Sequence, residues 1–89
     1  MIYMKRIMFS IGAIKKADNF IWFLADGMFN KIEDAIKQTD EWYNAISIHH
    51  SSEWILFIIE SIPCGGVLHM SNDEQFTLYK EKSLYVIGV

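Results

Sequence analysis

The sequence has little cysteine, few basic residues and no long apolar run, and each shortage excludes a class of protein. Only one of the 89 residues is cysteine, so neither an internal disulfide nor a cysteine-rich zinc site can form. Eight basic residues against eleven acidic ones give a net charge of −3, which provides no basic stripe for nucleic acid. The longest apolar run, residues 54–59, is far shorter than the roughly 20 residues that span a bilayer. We therefore expect neither a nucleic-acid partner nor a membrane span.

The residues that are abundant indicate a folded domain. Apolar residues make up 52% of the chain and aromatic residues 15%, so the chain can bury enough surface to offset the entropy of ordering and is not intrinsically disordered. No repeat or linker divides it, and we predict a single domain over residues 1–89. Lys5 and Arg6 precede an apolar stretch as in a signal peptide, but no small-x-small cleavage site follows. A cytoplasmic protein with an N-terminal strand or arm over residues 1–14 is favoured, and export stays an open alternative.

Apolar segments bounded by turn residues predict the strands. After the N-terminal arm and a polar turn over residues 15–19, Gly27 is expected to end the first of them. The segment 54–60 is apolar throughout, which is typical of a strand buried on both faces. The predicted strands are 20–25, 42–50, 54–60, 67–70 and 84–89.

Two helices complete the predicted fold. From Met28 to Ile36 the apolar residues fall on one helical face, which predicts the main helix, and residues 38–41 are expected to end it. Ser71 and Glu74 have capping-box spacing, which predicts a short helix that runs through Tyr79. The fold class is then α+β: a small antiparallel sheet or partial barrel with one main helix and one short helix.

Few residues are candidates for chemistry. His49 and His50 would face opposite sides of a strand and cannot bind one metal ion together, so neither a metal nor another cofactor is predicted. Cys64 lies in a Pro-Cys-Gly-Gly turn with neither a helix N-terminus nor a cation beside it, which indicates an inert thiol. Glu60 ends the most apolar strand, and its carboxylate either emerges into solvent or faces a partner.

Several segments resemble, in their order and spacing, those of a known family. Residues 14–23 are similar to a leader followed by Gly-Asp and an apolar strand, and residues 28–39 to a helix that ends at threonine. Residues 43–48 are similar to a strand that carries a histidine, and residues 59–67 to a strand that ends in Glu-Ala-x-Pro-x-Gly-Val. Residues 72–76 and 84–87 match a Leu-Asp-Glu-Phe-like stretch and a Val-Tyr-Val strand. Residues 15–89 thus resemble part of the circularly permuted NlpC/P60 papain-like hydrolases, which include YiiX-like bacterial proteins.

The resemblance implies hydrolysis of amide bonds or acyl transfer by a Cys-His-polar triad, often on cell-wall peptides or lipid-linked amides. Here Ala45 occupies the position of the family's histidine, and Glu60 occupies that of the polar residue that orients it. Ala17 replaces the family's opening glycine, and the family's cysteine helix lies beyond the last strand seen in this chain.

Two weak substitutes for the missing catalytic groups can be named. His49 shares a predicted strand face with Ala45, but four residues of strand are about 13 Å long, well beyond the ~3 Å reach of proton transfer. Cys64 follows Glu60 by four residues, in a turn rather than at the start of a helix. We do not expect an enzyme.

The function predicted from the sequence is that of a non-catalytic, truncated relative of these hydrolases that acts by binding. One alternative is half of a split cysteine hydrolase, in which Ala45→His and a cysteine-bearing partner would restore activity. Another is a small phage- or host-directed interaction or inhibitor protein that uses exposed aromatic residues. Because the strand 54–59 needs cover on both faces, we expect a protein partner or a homo-oligomer. The aromatic candidates are Trp22, Trp42, Tyr43 and Trp54.

Overall fold

A four-stranded antiparallel sheet with one α-helix on each face forms the architecture of the protein. The computed structural model describes residues 7–50, 53–61 and 66–89. The strand order is β2-β1-β3-β4, which confirms the predicted α+β class with one main and one short helix. Along the chain the elements are β1 (Met8–Lys15), β2 (Phe20–Phe29), α1 (Ile32–His50), β3 (Trp54–Ser61), a 3-10 helix (Gly66–His69), α2 (Asn72–Lys82) and β4 (Tyr85–Ile87).

The two central strands are β1 and β3, which pair antiparallel over their full length, from Met8 opposite Ser61 to Lys15 opposite Trp54. Strand β3 is buried on both faces: four consecutive side chains, from Leu56 to Ile59, have no exposed surface. The predictions of an N-terminal strand and of a two-sided buried strand are both confirmed. The polar turn predicted after β1 is present as well, with Asn19 in the left-handed region at φ 57°.

One face of the sheet packs against α2. Phe57 lies at its centre, 5.0 Å from the ring of Tyr79 and 5.8 Å from that of Phe23. Its ring covers Gly12 on the neighbouring strand, where a Cβ atom would lie 2.4 Å from Phe57 Cζ. Only glycine leaves room for the ring at this position, so the missing side chain of β1 is replaced by an aromatic ring from β3.

The other face packs against α1. Ile11, Ala25 and Ile58 of the sheet form a cluster with Ala35 of the helix. Ala35 and Thr39 are fully buried one helical turn apart, and such small side chains let the helix backbone approach the strands closely. The Thr39 hydroxyl donates to the Ala35 carbonyl at 2.7 Å, so its burial leaves no polar atom unpaired.

The prediction that Gly27 ends its strand is wrong, because β2 continues through it to Phe29. Gly27 has φ 63° at an irregularity in the pairing of β1 with β2, where glycine permits a bulge. Its N–H donates to the buried Ser10 hydroxyl at 2.8 Å. The same hydroxyl lies 2.9 Å from Asp26 Oδ1 and 2.7 Å from Ser61 Oγ, so the buried polar atoms at the bulge are paired.

The strand predicted over residues 42–50 is also wrong, as is the helix end predicted at residues 38–41: α1 runs without a break from Ile32 to His50. Trp42 and Ile46 extend the stripe begun by Ala35 and Thr39, at the spacing i, i+4, i+7 and i+11 of one helical face. The apolar residues of this segment fit both periods, and packing on the sheet selects the helix.

The strand predicted over residues 67–70 is wrong, because the 3-10 helix occupies this segment. The short helix and the last strand, α2 and β4, lie where the sequence predicted them. Gln75 Nε2 donates to the carbonyls of Val67 and Met70, and these acceptors are therefore satisfied without a neighbouring strand. The capping box at α2 is confirmed, since Glu74 N–H donates to Ser71 Oγ and Ser71 N–H donates to Glu74 Oε2. The turn predicted at residues 63–66 lies largely outside the described residues.

Across the ranges that the structure describes, no helix has both the length and the apolar character needed to cross a membrane.

Candidate functional site

The sheet is wider than the helix that covers its second face. Four strands about 4.8 Å apart span about 14 Å between the outer backbones, whereas one helix with its side chains covers about 10 to 12 Å. Helix α1 lies mainly against β3 and β1, and it is tied toward β4 by a 2.5 Å hydrogen bond from the Tyr85 hydroxyl to Asp40 Oδ1. Phe20, Trp22 and Leu24 of β2 are each more than 40% exposed, so the uncovered part of this face is the part formed by β2.

A row of aromatic rings lies on this uncovered part. Phe20 and Trp54 both pair with Lys15 of β1, and Trp22 pairs with the next residue on the same face, Ala13. The Trp22 ring lies 4.4 Å from that of Phe20 and 5.3 Å from that of Trp54. The rings hold one another in place, yet Trp22 keeps 41% and Phe20 keeps 44% of its surface exposed.

An apolar groove of about 680 Å³ runs between this row and the second half of α1. The β2 side includes Leu24, which is 43% exposed, and the α1 side includes Ala45 and Ile46. A shallower depression continues along α1 toward Trp42. All described residues that line the groove are apolar: Ala13, Trp22, Phe23, Leu24, Ala45, Ile46 and Trp54.

The structure does not bring the two residues of the hydrolase resemblance together. Ala45 lies on α1 and lines the groove, near Trp54 at the start of β3. Glu60 is exposed near the other end of β3, six residues from Trp54 and thus roughly 20 Å away along the strand. A histidine at position 45 would therefore be out of hydrogen-bond reach of Glu60.

The other candidates from the sequence lie at the edge of the described structure or beyond it. His49 and His50 form the end of α1, so the 13 Å separation expected along a strand does not apply: on a helix Ala45 and His49 are one turn, about 6 Å, apart. Their side chains and the whole of Cys64 are outside the described residues. Within the described ranges, no three His, Cys, Asp or Glu side chains are grouped so that they could bind a metal ion.

Two polar clusters outside the groove serve the fold. Ser10, which contacts Asp26 and Ser61, is fully buried and therefore out of reach of any substrate. The pKa of Tyr85 is raised, chiefly because its hydroxyl donates to Asp40, with desolvation and the charge of Asp40 adding to the effect. The cluster around Ser10 stabilises the bulge of β2. The hydrogen bond between Tyr85 and Asp40 holds α1 toward β4.

Sequence reasoning identified part of the groove and missed the rest. Of the aromatic candidates, Trp22 is exposed and Trp54 is half-buried in the groove wall, whereas Trp42 and Tyr43 are half-buried along α1. Leu24 and Ile46 were not singled out. Their only signal was an apolar character that equally fits a buried strand or helix, because exposure on this face depends on where α1 lies.

Comparisons with known proteins identify no relative of the chain: no family model, no curated protein and no solved structure matches it. The groove is accordingly interpreted from its own geometry and chemistry.

Proposed function

We propose that this protein acts by binding another protein, and that the apolar groove is the binding surface. The observation that carries the proposal is the exposure of Trp22 and Leu24, each more than 40%, on a groove whose described lining has no charged side chain. Exposed apolar residues that occur singly need no explanation, but a contiguous apolar groove is typical of an interaction site.

The openness of the groove favours a protein partner over a small molecule. Sites for small molecules enclose most of the surface of their ligand, whereas Trp22, Leu24 and Phe20 leave one side of this groove open to solvent. Tryptophan is also the residue type most enriched among those that dominate binding energy at protein interfaces. Because the Trp22 ring already packs against the tilted rings of Phe20 and Trp54, little side-chain entropy would be lost on binding.

The residue types of the groove support binding rather than catalysis. No described lining side chain can act as a nucleophile or exchange a proton at neutral pH. Ala45, the position that the resemblance assigns to the family's histidine, contributes only a methyl group to the groove. The proposal therefore retains the non-catalytic function predicted from the sequence and assigns it a surface.

Two leucines provide a matched test. Leu24 lines the groove, while Leu68, which is 60% exposed, lies in the 3-10 helix elsewhere on the surface. Peptides selected from a displayed library on the wild-type protein should bind Leu24→Ala at least about tenfold more weakly, because an interface anchor is lost.

The same peptides should bind Leu68→Ala with unchanged affinity, which separates loss of the groove from loss of any exposed leucine. A library that yields no binder, or peptides that bind both variants equally well, would contradict the proposal. Circular dichroism of each variant should confirm that it remains folded.

A further inference from the structure

We infer that the partner segment is an amphipathic α-helix with basic residues along the flank that faces α1. This inference rests on the proposed function and adds the shape and the charge of the occupant.

The groove lies where a second helix would pack beside α1. Helices that pack side by side lie about 8 to 10 Å apart, and the groove lies beside α1 over the part of the sheet that α1 leaves open. Ala45 on α1 is small and exposed, which permits a close approach of a second helix. The exposed side chains of Trp22 and Leu24 would then pack against its apolar stripe.

The edge of α1 that borders the groove is acidic. Asp34, Gln38, Glu41 and Ala45 follow one another at i, i+4, i+7 and i+11 and so share one edge of the helix. Ala45 lines the groove, and the exposed Glu41 lies about 6 Å and the exposed Asp34 about 16 Å from it along the helix axis, so a partner helix alongside α1 would run past both carboxylates. Lys37 lies about 80° from Ala45 around the helix axis, and Lys31, whose carbonyl accepts from Ala35 N–H just before α1, lies near the same edge but about 21 Å along the axis from Ala45.

This charge pattern distinguishes a basic partner helix from a second copy of the chain. The helices of a second copy fit poorly: α1 carries the acidic edge itself, and α2 already uses Phe76, Leu78 and Tyr79 against its own sheet. Complementary charge would raise the association rate and fix which flank of the partner faces α1. Lys15, which pairs with Phe20 on one side and Trp54 on the other, is the cation closest to the groove along β1.

The free edge of β2 is occupied at its beginning by the side chain of Asn72. Ile21 N–H donates to Asn72 Oδ1 at 3.0 Å, and Asn72 Nδ2 donates to the Asn19 carbonyl at 3.3 Å. The side-chain amide thus takes the place of a peptide group of a neighbouring strand. An added strand would have to displace Asn72 at this end of β2 and follow a strand that is irregular at Gly27, so we place the occupant on the face of the sheet.

Two synthetic helical peptides test the inference. Both carry leucines at i, i+3, i+4 and i+7; one has lysines and the other glutamates along one flank. Fluorescence anisotropy should show the lysine peptide binding at least about fivefold more tightly at low ionic strength, because the acidic edge attracts it. The difference should shrink at high salt and in the double variant Asp34→Asn, Glu41→Gln. The variant Glu81→Gln, which removes an exposed acid of α2, is the matched control and should leave the preference unchanged.

The outcomes separate the inference from the proposed function. Equal binding of the two peptides, weakened in both by Leu24→Ala, would overturn the basic flank and leave the groove as a binding surface. If neither peptide binds, the helical partner is overturned, and the displayed-library test decides whether the groove binds other peptides. A preference that persists in the double variant would show that the charge effect does not come from Asp34 and Glu41, and it would also overturn the inference.

Discussion

The two faces of the sheet are built from the same four strands but differ in how completely a helix covers them. On the α2 face, Phe57 fills the space over Gly12, and Ile21 of the edge strand β2 is almost fully buried. On the α1 face, the helix covers the centre of the sheet, and the neighbouring edge-strand residue Trp22 stays 41% exposed. Exposure on this protein therefore depends on the lateral position of the covering helix and not on how apolar the strand is.

The surface that a partner would cover lies on β2 and not on β3, where the sequence placed it. The sequence predicted a partner because β3 is apolar on both faces, but α1 and α2 of the same chain already cover its central residues, Leu56 to Ile59. The exposed apolar surface lies on β2 instead. A homo-oligomer stays a prediction.

The largest expected effect comes from truncating one large aromatic side chain on each face. Phe57→Ala should lower the free energy of unfolding by about 3 to 5 kcal/mol, because it leaves a cavity over Gly12. Trp22→Ala should cost only about 1 kcal/mol, since much of its ring is already in water. Urea unfolding of the two variants measures both values, and equal losses would show that the two faces are covered to the same degree.

A smaller effect is expected at the two ends of α2, the helix that closes the first face. Ser71→Ala should cost about 1 kcal/mol, because the N-cap accepts a hydrogen bond from Glu74 N–H. Ser83→Ala at the other end should cost nothing or stabilise slightly, because the buried Ser83 Oγ makes no hydrogen bond within the described structure. Urea unfolding of this matched serine pair tests whether the cap holds α2 in place; a larger loss for Ser83→Ala would contradict that.

The capping box also predicts that the stability of the fold depends on pH. Hydrogen bonds from the Ser71 backbone and side chain lower the pKa of Glu74 from its usual 4.5. The contribution of the ionised carboxylate to stability is therefore fully present above that usual value and is lost as the pH falls through the lowered pKa. In Glu74→Gln this part of the acid dependence should be absent, whereas an unchanged acid unfolding profile would show that the carboxylate does not stabilise the cap.

The smallest expected effect concerns the bond that holds α1 toward β4. Tyr85→Phe should cost about 0.5 to 1 kcal/mol, because a partly solvated hydrogen bond to Asp40 is lost. The raised pKa of Tyr85 means that its contribution is present below the usual value of 10.0 and is lost as the pH rises through the raised value. Titration of tyrosinate absorbance should show one tyrosine whose pKa falls toward the usual value in Asp40→Asn; no change in that variant would contradict the assignment.

The sequence was sufficient where a local signal and the packing agree. The capping box at Ser71 and the uninterrupted apolar run of β3 each admit one interpretation, and both elements form as predicted. Residues 42–50 admit two interpretations, since their apolar residues fit the strand period and the helix period alike. Only contact with the sheet favours the helix α1. The groove could not be predicted from the sequence, because the exposure of Leu24 depends on the width of the sheet and on the position of a helix that is distant in the chain.

Acrylamide quenching of tryptophan fluorescence tests the central claim most directly, namely that the β2 side of the α1 face is uncovered in the free protein. The variant Trp42→Phe, Trp54→Phe retains only Trp22. The variant Trp22→Phe, Trp54→Phe retains only Trp42, which is half-buried on α1. We expect Trp22 to be quenched more strongly than Trp42 at every protein concentration, and to become protected when the lysine-flanked peptide is added. Trp22 as well shielded as Trp42 in the dilute protein alone would contradict the claim.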